Sequence, residues 1–122
     1  MTADRVERSS RPSVSTLRNL LRNLQECRSA LEAGVEEFTG PDGVTWSIRD
    51  LERLFEASQK LLSPRQAEAI RMFLVEQMYE ADVAEAMGLS RTNPIGMYAT
   101  TGIERLIELV DRGAIKGFSW GG

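Results

Sequence analysis

The stretch Leu62–Leu109 reads LSPRQAEAIRMFLVEQMYEADVAEAMGLSRTNPIGMYATTGIERLIEL and decides the fold. A predicted helix with Met87 on its apolar face ends at Gly88, since glycine readily adopts a positive φ at a helix C-terminus. A second helix is predicted to start at Asn93, acting as N-cap, with Pro94 at the first helical position. The pattern therefore predicts two helices joined by a tight turn.

Helical spacing extends the prediction in both directions. Ser63-Pro64-Arg65-Gln66 has the pattern of a capping box with proline in the first turn, and its helix is expected to end near Met78-Tyr79. The helix pair then covers residues 80–87 and 93–110. The last helix has an apolar face made of Ile95, Ala99, Ile103, Leu106 and Val110.

Two helices joined in this way form the helix-turn-helix, whose DNA-binding version places the second helix in the major groove. Double-stranded DNA is therefore the first candidate partner. Arg91 is the leading contact residue, because arginine can pair with guanine or clamp a phosphate. The full set of candidate DNA-binding residues is Arg91, Thr92, Asn93, Met97, Tyr98, Thr100, Thr101 and Arg105.

The segment also resembles region four of bacterial sigma factors, a helix-turn-helix family that contacts the −35 promoter element. The matching features are Leu62-Ser63-Pro64-Arg65-Gln66 with Glu68, the run Val83–Arg91, and Ile103-Glu104-Arg105-Leu106, which together span about 45 of the 122 residues. The resemblance implies DNA binding in transcriptional control. Sigma region four also contacts the polymerase flap, so the resemblance leaves RNA polymerase open as a possible protein partner.

The charge is distributed unevenly along the chain. Residues 1–30 hold six bases and three acids, residues 31–62 three bases and seven acids, and residues 63–122 six bases and eight acids. No lysine or arginine occurs in Ile95–Gly102, the start of the last helix. Since DNA-binding domains usually have a basic face, either the N-terminal bases assist, or several copies act together, or the partner is a protein.

Residues 1–13 are predicted to form a mobile basic arm, either a plain terminus or a groove-tracking segment. Residues 14–39 are predicted to form one long helix capped by Ser15 or Thr16. Its seven-residue repeat fits either self-association into a homo-oligomer or packing onto the chain's own domain. The candidate oligomerisation residues are Leu17, Leu20, Leu24, Cys27, Leu31, Val35 and Phe38. Cys27 is interpreted as a small core residue rather than a reactive thiol.

The turn-forming residues 39–43 are the best boundary before a helix-turn-helix domain over residues 44–112. Thr45 or Ser47 is expected to cap that domain's first helix, and Trp46 to anchor it to the core. Residues 113–122 form a glycine-rich tail that is expected to dock on the domain or to hook a partner. No strand is predicted, so the fold class is all-α: a long N-terminal helix plus a compact helical domain.

Composition narrows the functional classes. The chain has no histidine and one cysteine, which excludes histidine-dependent catalysis and an internal disulfide, and argues against common zinc sites. No apolar run reaches the ~20 residues of a membrane span. We therefore expect a cytoplasmic protein that is not an enzyme and needs no cofactor or metal.

Three functions remain open. The first is sequence-selective DNA binding in transcription, as an oligomer. The second is DNA recognition as the small subunit of a viral terminase, a function that a ring of eight or more copies in solution would favour. The third is a protein-interaction adaptor, for example one that binds RNA polymerase.

Overall fold

The computed structural model describes residues 11–120, and this part of the chain is 65% helical with one small sheet. The all-α fold class is thereby confirmed. The elements are α1 (Val14–Arg22), α2 (Leu24–Glu32), β1 (Glu37–Thr39), β2 (Thr45–Ser47), α3 (Ile48–Leu61), α4 (Pro64–Ala69), α5 (Glu80–Met87) and α6 (Asn93–Asp111). A π-helical segment, Ile70–Val75, continues α4.

Two helices and a strand replace the single long helix expected over residues 14–39. The break lies at Asn23, whose backbone leaves the helical region at φ −97° and ψ 7°. Its side-chain Nδ2 donates to Asn19 O at 2.8 Å, and its backbone N–H also points to the carbonyl oxygens of Asn19 and Leu20. Asparagine side chains compete with the helix for backbone groups in this way, which explains the interruption.

Gly34 ends α2 four residues before Phe38. It adopts φ +95°, and the next residue's amide, Val35 N–H, donates to Ala30 O at 2.9 Å. This six-to-one hydrogen bond around a left-handed glycine closes the helix C-terminus. The heptad pattern runs past this point in the sequence, but the helix does not.

A β-hairpin follows, and the expectation of no strand was wrong. Phe38 pairs with Trp46 across the two antiparallel strands, and Asp42 Oδ1 accepts a hydrogen bond from Val44 N at 3.0 Å in the connecting turn. The turn was predicted from composition. The hairpin's strands have three residues each, too few to show the alternation of apolar and polar residues that predicts a strand.

The start of α1 also differs from the prediction. Ser13, and not Ser15 or Thr16, is the N-cap, and its hydroxyl accepts from Thr16 N at 3.1 Å. Pro12 is buried, and Arg11 forms an ion pair with Asp111. Residues 11–13 of the predicted arm therefore belong to the fold, whereas residues 1–10 lie outside the described residues.

Local capping signals position the central helices as expected. Ser47 caps α3 by accepting from Asp50 N at 3.3 Å, and Ser63 with Gln66 forms the predicted capping box of α4. The π-helical segment ends at Val75, a few residues before the helix end expected near Met78-Tyr79. Gln77, just beyond it, has φ +54° and donates from Nε2 to Arg22 O at 2.5 Å. The chain thus turns sharply between α4 and α5.

The seven-residue repeat is used largely inside the molecule. Leu17, Leu20, Leu24 and Cys27 are at most 2% exposed and belong to the same core as the apolar face of α6. Leu31 and Phe38 are half-buried, and only Val35 is well exposed, at 48%. Packing onto the chain's own domain, one of the two readings of this repeat, therefore accounts for most of it.

The C-terminal tail docks on the domain. Ile115 and Phe118 are buried, and Trp120 lies edge-on to both Phe118 and Trp46. Its indole Nε1 donates to Asp111 Oδ1 at 2.8 Å. None of the described helices has the length and apolarity needed to cross a membrane.

Candidate nucleic-acid interface

The connection between α5 and α6 contains five residues, 88–92, and begins with a left-handed glycine. Gly88 has φ +72° and ψ 28°, and Leu89 N–H donates to Ala84 O at 2.8 Å. Val83, Ala84 and Met87 are buried on the inner face of α5. The helix end predicted at Gly88 is confirmed, and its hydrogen bonding sets where the chain enters α6.

The start of α6 differs by one residue from the prediction. Thr92 is the N-cap position, Asn93 is the first helical residue and Pro94 follows it. Within the described chain no side chain caps this helix, and the Thr92 backbone is itself near-helical. The Asn93 side chain is exposed and has no capping role, so it is available for another contact.

Six of the eight predicted contact residues lie on α6, outside its buried face, and Arg91 and Thr92 lie in the turn before it. Ile95, Ala99 and Ile103 are fully buried, as their spacing predicted. Met97 is 59% exposed. Of the other predicted residues, Arg91, Asn93 and Arg105 are exposed, whereas Thr92, Tyr98, Thr100 and Thr101 are partly buried.

Thr101 is the most constrained of these side chains. Its hydroxyl donates to Met97 O at 2.9 Å and receives a hydrogen bond from Gln66 Nε2 at 3.3 Å. A hydroxyl already engaged on both sides is poorly placed to read a base. Thr101 is therefore better described as a residue that fixes α6 against α4.

Two arginines from other helices flank the first turns of α6. Arg18, on α1, donates to the Thr100 hydroxyl, and the Arg65 guanidinium, at the start of α4, lies 5.7 Å from the Tyr98 ring centroid. Thr100 and Tyr98 lie on opposite flanks of the exposed face. The helix has no basic residue between positions 95 and 102, and its neighbours supply two guanidinium groups there.

Sequence analysis missed Arg18 and Arg65 as site residues. Arg65 entered the prediction only through the Ser63-Pro64-Arg65-Gln66 motif, and Arg18 only as one of the six bases of residues 1–30. Both reach the site through tertiary packing across 82 and 33 residues of chain. No local spacing rule reveals such a contact.

The C-terminal half of α6 has a different character. Glu104 and Glu108 line a shallow hollow together with Arg11 and Arg105. A hydrogen bond from Arg105, and then the charge of Arg112, hold the pKa of Glu108 below its usual value. Arg105 is thus engaged with Glu108 at 2.6 Å, which makes it a weaker candidate for DNA contact than Arg91.

No cluster of three or more potential metal-ligating acids, cysteines or histidines occurs within residues 11–120. Comparison of the chain with protein-family models, with curated proteins and with solved structures gave no match.

Proposed function

We propose that the protein binds double-stranded DNA through the N-terminal half of α6, as a sequence-selective factor in transcriptional control. The observation that carries the proposal is the exposed pair Asn93 and Met97 on the first half of α6, with Arg18 and Arg65 on the two flanks of that face. The sequence resemblance to sigma region four supports the same conclusion.

Charge is the physical basis for affinity. DNA affinity derives largely from phosphate neutralisation by lysine and arginine, which releases condensed counterions. Arg91 lies in the turn before α6, and Arg18 and Arg65 contact Thr100 and Tyr98, so three arginines lie along the turn and the first eight residues of α6. Asn93 and Met97, both exposed on the same end, are then the candidates for base contact.

The test is selection of bound fragments from a random duplex pool, followed by fluorescence anisotropy on the enriched sequence. Arg91→Ala is compared with Arg49→Ala, which removes an equal charge from an exposed position on α3, a helix that holds none of the proposed DNA-contact residues. We expect Arg91→Ala to lose the enriched motif. If Arg91 contacts one phosphate, its loss also lowers the magnitude of the salt slope by about 0.9. Arg49→Ala should behave as wild type.

Arg18→Ala and Arg65→Ala form the second arm. Each is expected to weaken binding to all sequences by a similar factor, because phosphate contacts position the protein without reading bases. No enrichment from the wild-type protein, or equal losses for Arg91→Ala and Arg49→Ala, would contradict the proposal.

A protein partner is the second candidate, favoured by the acidic C-terminal half of α6. Glu104 and Glu108 on its exposed side would repel phosphates, and the exposed Met97 offers an apolar contact. Retained binding to RNA polymerase without DNA binding would support this adaptor function. A role in DNA packaging would instead require DNA binding by a ring of copies.

A further inference from the structure

Four large apolar side chains are well exposed within residues 11–120, and two of them lie at opposite ends of α3. Leu61, 50% exposed, is the last residue of α3, and Val35, 48% exposed, lies next to its start. The second placement is fixed by a hydrogen bond from Ile48 N to Glu36 O at 3.0 Å. Thirteen residue steps of 1.5 Å put these two ends roughly 20 Å apart.

Leu61 belongs to a groove between α3 and the C-terminal tail, here called the Leu61 groove. It has a volume of about 320 Å³ and a floor that includes Ala57 and Ile115. Arg53, Lys60 and Lys116 line it together with one acid, Glu56, so the groove carries a net positive charge. Neither lysine forms an ion pair with any described residue.

Val35 has the opposite surroundings. Glu32, Glu36 and Glu37 are all exposed next to it, with no base between residues 29 and 48. Residues 32–37, here called the Val35 segment, therefore present one apolar side chain among three carboxylates. None of these carboxylates forms an ion pair within the part of the chain that the structure describes.

We propose that the Leu61 groove binds the Val35 segment of a second copy of this chain. Apolar contact between Val35 and Leu61 provides the buried surface, and the glutamates meet the lysines. Because the two surfaces differ and lie at opposite ends of α3, the contact is head-to-tail. A pair of copies therefore leaves the segment of one copy and the groove of the other unoccupied. Such an interface builds a closed ring or an open chain. It does not depend on DNA binding.

The experiment uses the full chain and pairs of complementary variants. Leu61→Asp blocks the groove and leaves the Val35 segment intact, whereas Val35→Lys with Glu36→Lys blocks the segment and leaves the groove intact. Sedimentation velocity, run from micromolar to millimolar protein, should show assemblies of wild type that exceed the 13.6 kDa monomer and dissociate in high salt. Each variant alone should be a monomer.

The decisive sample is an equimolar mixture of the two variants. A head-to-tail interface lets the intact groove of one variant bind the intact segment of the other, so the mixture should give a dimer that grows no further. Tyr79→Asp, at a third exposed apolar position, is the control and should assemble as wild type. Circular dichroism of every variant checks that it is folded. A monomeric wild type, assembly by folded Leu61→Asp, or a mixture of two folded variants that stays monomeric would overturn the proposal.

Discussion

Gly96 and Gly102 lie six residues apart on α6 and have very different surroundings. A Cβ added at Gly102 would meet Ile70 Cδ1 at 3.0 Å and Gln66 Cβ at 3.1 Å, whereas one added at Gly96 would meet nothing within 4 Å. Glycine at position 102 therefore allows the close approach of α6 to α4. Glycine at position 96 has no such packing role in the monomer.

The two glycines predict opposite effects of the same substitution. Gly96→Ala should raise the free energy of unfolding by up to about 1 kcal/mol, because alanine is the better helix former. Gly102→Ala should lower it by about 1–3 kcal/mol, because the methyl group overpacks the contact with α4. Denaturant unfolding of the two variants measures both. Equal shifts of the same sign would show that α6 does not approach α4 as described.

Cys27 carries a second prediction at the residue scale. The thiol is 1% exposed, and burial, followed by the charges of Glu26 and Glu52, raises its pKa above the usual value. The thiolate is therefore scarce in the folded protein, and reagents reach it only when the structure opens. We expect reaction with a disulfide reagent at pH 8 to be at least about a hundredfold slower in native than in unfolded protein.

The raised pKa of Cys27 also makes the free energy of unfolding depend on pH. A thiol whose pKa is higher in the folded than in the unfolded protein stabilises the fold. This stabilisation is fully present below the unfolded pKa of 9.0 and is lost as the pH rises through the folded-state pKa. Cys27→Ser removes this titration, so the stability of that variant should fall less steeply above pH 9 than that of wild type. Equal slopes would contradict the described burial.

At the scale of elements, the C-terminal tail packs against the rest of the domain. Phe118 is 8% exposed, lies edge-on to Trp120 at 5.7 Å, and has the Arg53 guanidinium 5.4 Å from its ring centroid. Both tryptophans of the chain, Trp46 and Trp120, belong to this aromatic cluster. Tryptophan fluorescence therefore reports directly on tail docking.

Phe118→Ala should release the tail. We expect a red shift of tryptophan emission and a loss of about 3 kcal/mol in the free energy of unfolding, the usual result of truncating a buried phenylalanine. Ser119→Ala, next to it and exposed, is the matched control and should change neither quantity. An unchanged emission spectrum in Phe118→Ala would mean that the tail is held elsewhere.

The helix boundaries show which sequence signals are sufficient to predict an element. The start of α4 and the end of α5 were predicted because Ser63 supplies a capping hydroxyl and Gly88 readily adopts a positive φ. The break at Asn23 and the hairpin were not predicted, because a continuous seven-residue repeat outweighed one asparagine and two three-residue strands. A hydrogen bond from one polar side chain to the backbone can interrupt a helix even where the apolar spacing continues.

For the whole molecule, sequence pattern alone left the use of the apolar repeat undecided. The spacing of Leu17, Leu20 and Leu24 is the same whether these residues face a partner helix or α6, and only the three-dimensional packing shows that they fill the chain's own core. The same holds for the proposed DNA surface, where Arg18 and Arg65 arrive from distant parts of the chain. Contacts between residues that are far apart in the sequence could not be predicted from local spacing.

One carboxylate, that of Asp111, joins both limits of the described chain. Arg11 Nε donates to one of its oxygens at 2.7 Å and Trp120 Nε1 to the other at 2.8 Å. The path of the backbone therefore almost closes on itself, and a short linker between these two residues would complete a loop without disturbing the core. A circular permutant that joins residues 120 and 11 and opens the chain within the exposed turn at residues 41–43 should keep every helix in place. The order of the helices along the chain can then change while their packing stays the same.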